Sequence, residues 1–172
     1  CKTDIRTSLN GTGASLRQAI TVNADGAQHD DEHVEIHHHH GHTYSDLVMN
    51  SACGGSSHFI GTGLLTIAEG ANKTDASQVF RNLLLSEKAR AEAIPELEVL
   101  ADDVSAAHGA ASAPVDSEQM HYLMSRGLNP VDAQNMIVSG FLNDAFSNLT
   151  NAALIKEMRT RLTVHLECEL KR

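Results

Sequence analysis

Residues Ser45–Ile67, "SDLVMNSACGGSSHFIGTGLLTI", set two short apolar pieces on either side of a Gly-Gly-Ser-Ser joint. Pieces of this length, partly alternating and bounded by Gly, Asn, Asp and Ser, read as β-strands joined by tight turns. The same texture continues outward in both directions. Upstream stand "SLRQAITV" (15–22) and "HVEIHHH" (33–39), and downstream stands "PELEVLADDV" (95–104). From Asp4 to about Ala107 the 3.6-residue period of a helix shows only weakly, around Phe80 to Leu85. Many short strands with polar turns predict a sandwich, a barrel or a β-solenoid. Gly-Thr-Gly occurs at 11–13 and again at 61–63, which suits equivalent corners in successive turns of a coil. No strict six-residue period runs through the region, so any coil is expected to be irregular.

After Pro114 the pattern changes. Asp116 or Ser117 is placed to cap a helix through "EQMHYLMSR" that stops at Gly127, with Arg126 near its negative end. Asn129 followed by Pro130 is a second start signal, cap then first-turn proline. A third helix is expected from about Asn151 to Leu170, with Leu154, Met158, Leu162 and Leu166 at four-residue steps packing against Met136, Ile137 and Phe141. The chain thus divides into a β region, 1–114, and a helical region, 115–172.

With 172 residues there is enough chain to bury a core without staples. Cys1, Cys53 and Cys168 are odd in number and far apart, with no CxxC spacing, which points to a reducing, cytoplasmic setting. A net charge of −9 without clustered Lys and Arg argues against nucleic acid or an anionic membrane as partner. No apolar run reaches transmembrane length, and the opening "CKTDIRTSLN" has neither a signal-peptide profile nor a starting methionine. The expectation is a piece that begins mid-structure.

Several motifs invite chemistry. The run His37 to His40, in "EIHHHHGH", could bind zinc or nickel, but alternate residues of a strand face apart, so one strand converges two histidines at most. A full site would need His33, His42 or His58 as well. Cys53 with His58, in "NSACGGSSH", lacks the G-x-S-x-G order of a nucleophile elbow. Neither Gly-Thr-Gly continues into the Gly-Lys-Ser/Thr of a P-loop, so the chain is not expected to hydrolyse ATP. Asp102 and Asp103 fit a turn or an exposed strand face better than paired acid-base work.

Residues 69–110, "EGANKTDASQVFRNLLLSEKARAEAIPELEVLADDVSAAHGA", followed by "DSEQMHYLMSRGL" (116–128), resemble the C-terminal core of the SufB/SufD family. The resemblance runs from about Ser45 to Gly140. "AAHGA" in place of a Glu-His-Glu-Ala type segment makes the chain look like the SufD branch. The resemblance implies a mainly β fold, a right-handed parallel β-helix followed by a C-terminal α-helical domain. It also implies a non-catalytic scaffold of iron-sulfur cluster assembly, with the β-helix pairing with a SufB-like subunit and the C-terminal helices docking a SufC-like ATPase. A homodimer in isolation is a further expectation. On this reading no cofactor is held stably, and a transient iron-sulfur cluster forms at the complex interface. His108 is the one residue it offers as a metal ligand there, since imidazole can replace thiolate in such centres. Ala106 stands where many relatives carry a cysteine, which leaves the sulfur ligands to the partner. Two alternatives stand beside it: a β-helix acyltransferase, which would need a hexapeptide period, and a histidine-rich metal-binding protein built on His37 to His40.

Overall fold

The computed structural model describes residues 1–169. Eight strands, β1 (Lys2–Leu9), β2 (Ser15–Ala24), β3 (His29–His38), β4 (Tyr44–Cys53), β5 (His58–Ile67), β6 (Asp75–Leu84), β7 (Arg90–Val99) and β8 (Ser105–Pro114), fall into two sheets. The first has the order β1-β3-β5-β7 and the second β2-β4-β6-β8, with every neighbouring pair parallel. The chain changes sheet at each strand, so it winds as a parallel β-solenoid of four turns whose two walls are the sheets. Partnered residues stand from 29 positions apart, as for Lys2 and Asp31, to 32 apart, as for His58 and Arg90. Each turn therefore spans two strands of about ten residues, with no hexapeptide unit of the kind an acyltransferase coil requires.

Alternation explains the walls. Along β5 burial switches at every residue, with Phe59, Leu65 and Ile67 inside and Ile60, Thr62 and Leu64 outside. Between the sheets Phe59 clusters with Leu47, Met49 and Cys53 from β4 and Phe80 from β6, while Leu65 and Ile67 cluster with Ala71 and Ala76. The weak helical signal at Phe80 to Leu85 falls in β6, where Phe80 and Leu84 point into the coil and Leu83 points out toward the helices. Alternation across a wall with apolar partners on both sides imitates a helical stripe.

The two Gly-Thr-Gly copies are not equivalent corners. Gly13 turns a corner at φ 79°, whereas Gly61 and Gly63 lie inside β5 and face the core. A Cβ on Gly63 would stand 2.4 Å from Phe80 Cζ and 2.6 Å from Gln78 Oε1. These glycines make room for bulky partners across the coil, a use of Gly that the corner reading overlooked. Asp102 and Asp103 lie in a bend after β7, beyond the strand, and Asp103 pairs with Lys73.

Helix α1 (Ser117–Ser125) starts at Asp116, whose carboxylate accepts from the Glu118 N–H at 2.8 Å, and Gly127 follows its end at φ 99°. Helix α2 (Pro130–Asp144) starts at Asn129, whose Oδ1 accepts from the Asp132 N–H at 2.9 Å. A 3-10 turn (Ala145–Asn148) leads to α3 (Ala152–Glu169). The expected last residue of α3, Leu170, lies outside the described residues. The helices cover the outer face of the second sheet, where Val138, Leu142, Phe146 and Leu162 share a core with Ala52 and Leu83. Asn148 pins this contact by donating from Nδ2 to the carbonyls of Gln18 and Asp46, each at 3.1 Å. The α3 stripe differs from expectation: Ile155, Met158, Leu162 and Leu166 pack inward, while Leu154 is 46% exposed. Strict four-residue steps drift by about 40° each around a helix, which carries Leu154 off the packed face. Met136 likewise stands outside the core, at 54% exposure.

Candidate functional site

The last turn of the coil is open. β7 and β8 are edge strands, and the inward rows of both have no further turn above them. In β8, Ala106, His108, Ala110 and Ser112 stand in register with the inward residues Ala76, Gln78, Phe80 and Asn82 of β6. Asn82 Nδ2 donates to Ser112 Oγ at 3.0 Å, which fixes this alignment. His108 therefore sits on the core-facing row but is exposed, because its turn is the terminal one. Beneath it Gln78 is buried and donates from Nε2 to the Glu96 carbonyl at 2.8 Å, while Phe80 fills the space left by Gly63. His108 is the only ionisable side chain of β8, whose other residues are Ala, Ser, Gly and Pro. The neighbouring edge differs: β7 carries Glu92, Glu96 and Glu98 outward, with Pro95 interrupting its N–H row. An edge strand presents unpaired N–H and C=O groups to any strand that approaches, and β8 has neither charge nor bulk to repel one.

The histidine run divides as strand geometry requires, and His38 faces the core while His37 faces out. His37 Nε2 lies 3.3 Å from Glu35 Oε2, and His33 Nε2 lies 2.9 Å from Glu35 Oε1. Arg6 Nε joins the same carboxylate at 3.5 Å and also bonds Asp4. The His33 and His37 contacts hold the Glu35 carboxyl below the usual range, and Arg6 adds to the effect. His39 stacks on His37 with ring centroids 6.1 Å apart, beyond the strand end, and His40 is exposed. His42 occupies a left-handed corner at φ 57°, and His58 lies across from His29, far along the strand from His37. Among the described residues no three His, Cys, Asp or Glu side chains converge where a metal ion could sit. Of the run, His37 joins the hydrogen bonds around Glu35 on the outer wall, His39 stacks on its ring, His40 is exposed, and His38 alone is buried.

Cys53 and His58 do not form a pair. Cys53 is buried in the coil, where desolvation pushes its thiol up, and His58 lies on the outer face of the first sheet, 2.7 Å from Glu92. A third feature lies on the helical side, a groove between the end of β8, α1 and α2. Its walls include Leu83, Pro114, Leu123, Ile137 and Phe141. No residue of α1 is buried, and Tyr122 and Met124 are 56% and 42% exposed. Sequence reading set His108 at the end of the "ADDV" strand, whereas residues 101–104 form a bend and His108 lies in the middle of the following strand, β8, on a turn whose openness sequence could not show. Nor did it find the Gln78 and Gly63 arrangement beneath, whose only sequence signal is small residues at alternate positions of a strand.

Residues 1–141 match the family described as SUF system FeS cluster assembly, SufBD core domain, which extends the resemblance to the first residue. The chain is 31% identical over 156 residues to the iron-sulfur cluster assembly protein SufD of Escherichia coli, covering 91% of this chain and 37% of that protein. It is 33% identical over 152 residues to SufD of Bacillus subtilis, covering 88% and 35%. With a SufBD family protein of Mycobacterium tuberculosis it shares 32% over 169 residues, covering 94% and 42%. The chain thus spans about two fifths of the length of these relatives.

Proposed function

The chain belongs to the SufBD core family of SUF-system iron-sulfur cluster assembly, resembling its SufD members, and from that premise we propose that it is a non-catalytic scaffold subunit of the assembly complex. It pairs with a SufB-like subunit through the β-solenoid and docks a SufC-like ATPase through the C-terminal helices. The observation that carries this reading is the open end of the coil. A ten-residue edge strand, β8, carries small uncharged side chains and one histidine. Such an edge accepts a partner strand by backbone pairing, and the partner's last turn would continue both sheets.

His108 then lies at the seam between the two subunits, where a nascent cluster can take an imidazole ligand while SufB supplies sulfur. The cluster is cargo, so no cofactor resides here, and the work is cytoplasmic. No helix among the described residues is long and apolar enough to cross a membrane. The groove at α1 and α2, with Tyr122 and Met124 exposed at its side, is the apolar surface the helical region offers to SufC.

Co-expression of the full polypeptide with SufB and SufC of the same organism tests the reading. The three are expected to co-elute, and association of SufB and SufC without this chain would end it. Within that complex His108→Ala is expected to lower iron and sulfide content while the circular dichroism of the solenoid is unchanged. Unaltered iron and sulfide would remove His108 from the mechanism.

A further inference from the structure

The buried member of the histidine run has a role of its own. His38 closes β3, is fully buried, and takes its place in an aliphatic row between Leu9 and Ile67 on the neighbouring turns. Both ring nitrogens are engaged by hydroxyls: Nδ1 lies 2.7 Å from Thr43 Oγ1 and Nε2 2.8 Å from Ser45 Oγ. Thr43 Oγ1 also lies 3.0 Å from the His40 carbonyl and 2.9 Å from Thr74 Oγ1, and Thr74 Oγ1 donates to the Ala71 carbonyl at 2.8 Å.

Satisfying the surrounding carbonyls selects one tautomer. The arrangement that satisfies both carbonyls gives the Thr74 proton to Ala71 and the Thr43 proton to His40, which leaves Thr43 Oγ1 as an acceptor toward His38. In that arrangement Nδ1 donates to Thr43 and Nε2 accepts from the Ser45 hydroxyl. A proton added at Nε2 would turn Ser45 from donor to acceptor and strand its own hydrogen, in a site where both residues are fully buried.

Among the described residues no carboxylate faces the imidazolium. Leu9 of β1, Ile67 of β5 and Ser45 of β4 are uncharged. On the corners, His39, His40 and His42 and, one turn on, Glu69 and Lys73 are exposed. The outward Arg6, Glu35 and Glu98 occupy the other face of the first sheet. We propose that His38 is a proton-sensitive latch of the solenoid: a neutral Nδ1–H imidazole that ties the end of β3 to the Thr43–Thr74 corner and releases that corner when protonated. The turns joined there are the second and third, linked by backbone bonds from Ala68 N–H to the His38 carbonyl and from Asp75 N–H to the Thr43 carbonyl, both 2.9 Å.

Burial, with a smaller contribution from His39, lowers the His38 imidazole from 6.5 to about 4. A depressed folded-state value means that stability is fully present above the unfolded value and is lost as pH falls toward the folded one. The window is pH 6.5 to 4. Linkage over that window raises the population of the opened corner roughly 10-fold at pH 5.5 and somewhat under 100-fold at pH 4.5, relative to pH 8.

Nitrogen-15 spectroscopy of the histidine rings in the purified protein tests the tautomer, and pH-dependent hydrogen exchange of the Ala68 and Asp75 amides tests the release. The expected result is an Nδ1–H signature that persists below pH 5.5, with exchange at both amides accelerating by those factors after correction for intrinsic rates. His38→Leu, which suits the aliphatic row, is expected to flatten this acid dependence, and His38→Gln serves if the leucine variant does not fold. An Nε2–H tautomer, a ring that titrates above pH 6, or equal acid dependence in either folded variant would overturn the proposal.

Discussion

Gly63→Ala is the sharpest test of how the coil is packed. The new methyl would lie 2.4 Å from Phe80 Cζ and 2.6 Å from Gln78 Oε1, where ordinary contact begins near 3.4 Å. The Phe80 ring, fully buried between the sheets, has to retreat by about 1 Å, and overpacking of this kind costs about 1–3 kcal/mol. Gln78 has to yield too, and its bond to the Glu96 carbonyl is worth about 1 kcal/mol. Against this, replacing a strand glycine by alanine recovers about 0.5–1 kcal/mol of unfolded-chain entropy.

The balance is a destabilisation of about 2 kcal/mol. Gly61→Ala is the internal comparison: its methyl would meet the Met49 Sδ at 2.8 Å, the mobile end of a flexible side chain, and Phe59 no closer than 3.1 Å. It should cost less than Gly63→Ala. Gly11→Ala, with nothing within 4 Å, is the control. Urea unfolding at constant m-value, monitored by circular dichroism, reads all three. A Gly63→Ala protein as stable as the wild type, or less perturbed than Gly61→Ala, would refute the packing argument.

Four further expectations concern the helical side. Asn148→Ala removes both side-chain bonds to the Gln18 and Asp46 carbonyls and should cost about 1–2 kcal/mol in urea unfolding. Arg81→Ala, which breaks only the exposed pair with Asp144, should cost under about 1 kcal/mol. Leu142→Ala empties a fully buried position in the core shared with the second sheet and should cost about 2–5 kcal/mol by the same assay. Asp116→Ala deletes the α1 cap, worth about 1 kcal/mol. Because α1 buries no residue, its loss should appear as faster amide exchange across 117–125 with the solenoid unchanged.

What could be read in advance followed local chemistry. The caps at Asp116 and Asn129, the proline at 130 and the stop at Gly127 act within a few residues of their own position, so sequence carries them directly. Strand pieces such as "SLRQAITV" were legible because alternation is local too. The missed features depend on residues one turn away, about thirty positions along the chain. Gly63 answers to Phe80 and Gln78, and nothing beside it says so. His38 and His37 are identical in type and adjacent, and only the sheet decides that one joins the core and the other a surface carboxylate. His108 was singled out only through the resemblance, at the end of "ADDV"; its place inside a separate strand, β8, and its exposure on the last turn are properties of the whole coil.

The plainness of β8 has a consequence for alignment. Backbone pairing alone is nearly indifferent to sliding by two residues, since such a slip keeps every side chain on its own face. Between Ser105 and Ala113 the side chains are Ala, Ser and Gly apart from His108, so a neighbouring strand finds a smooth rail with one notch. The imidazole proposed as a cluster ligand is also the only landmark on β8 by which a partner could tell one alignment from the next. Its replacement by alanine would therefore erase a position marker along with the proposed ligand, and a complex that still forms could do so in more than one alignment.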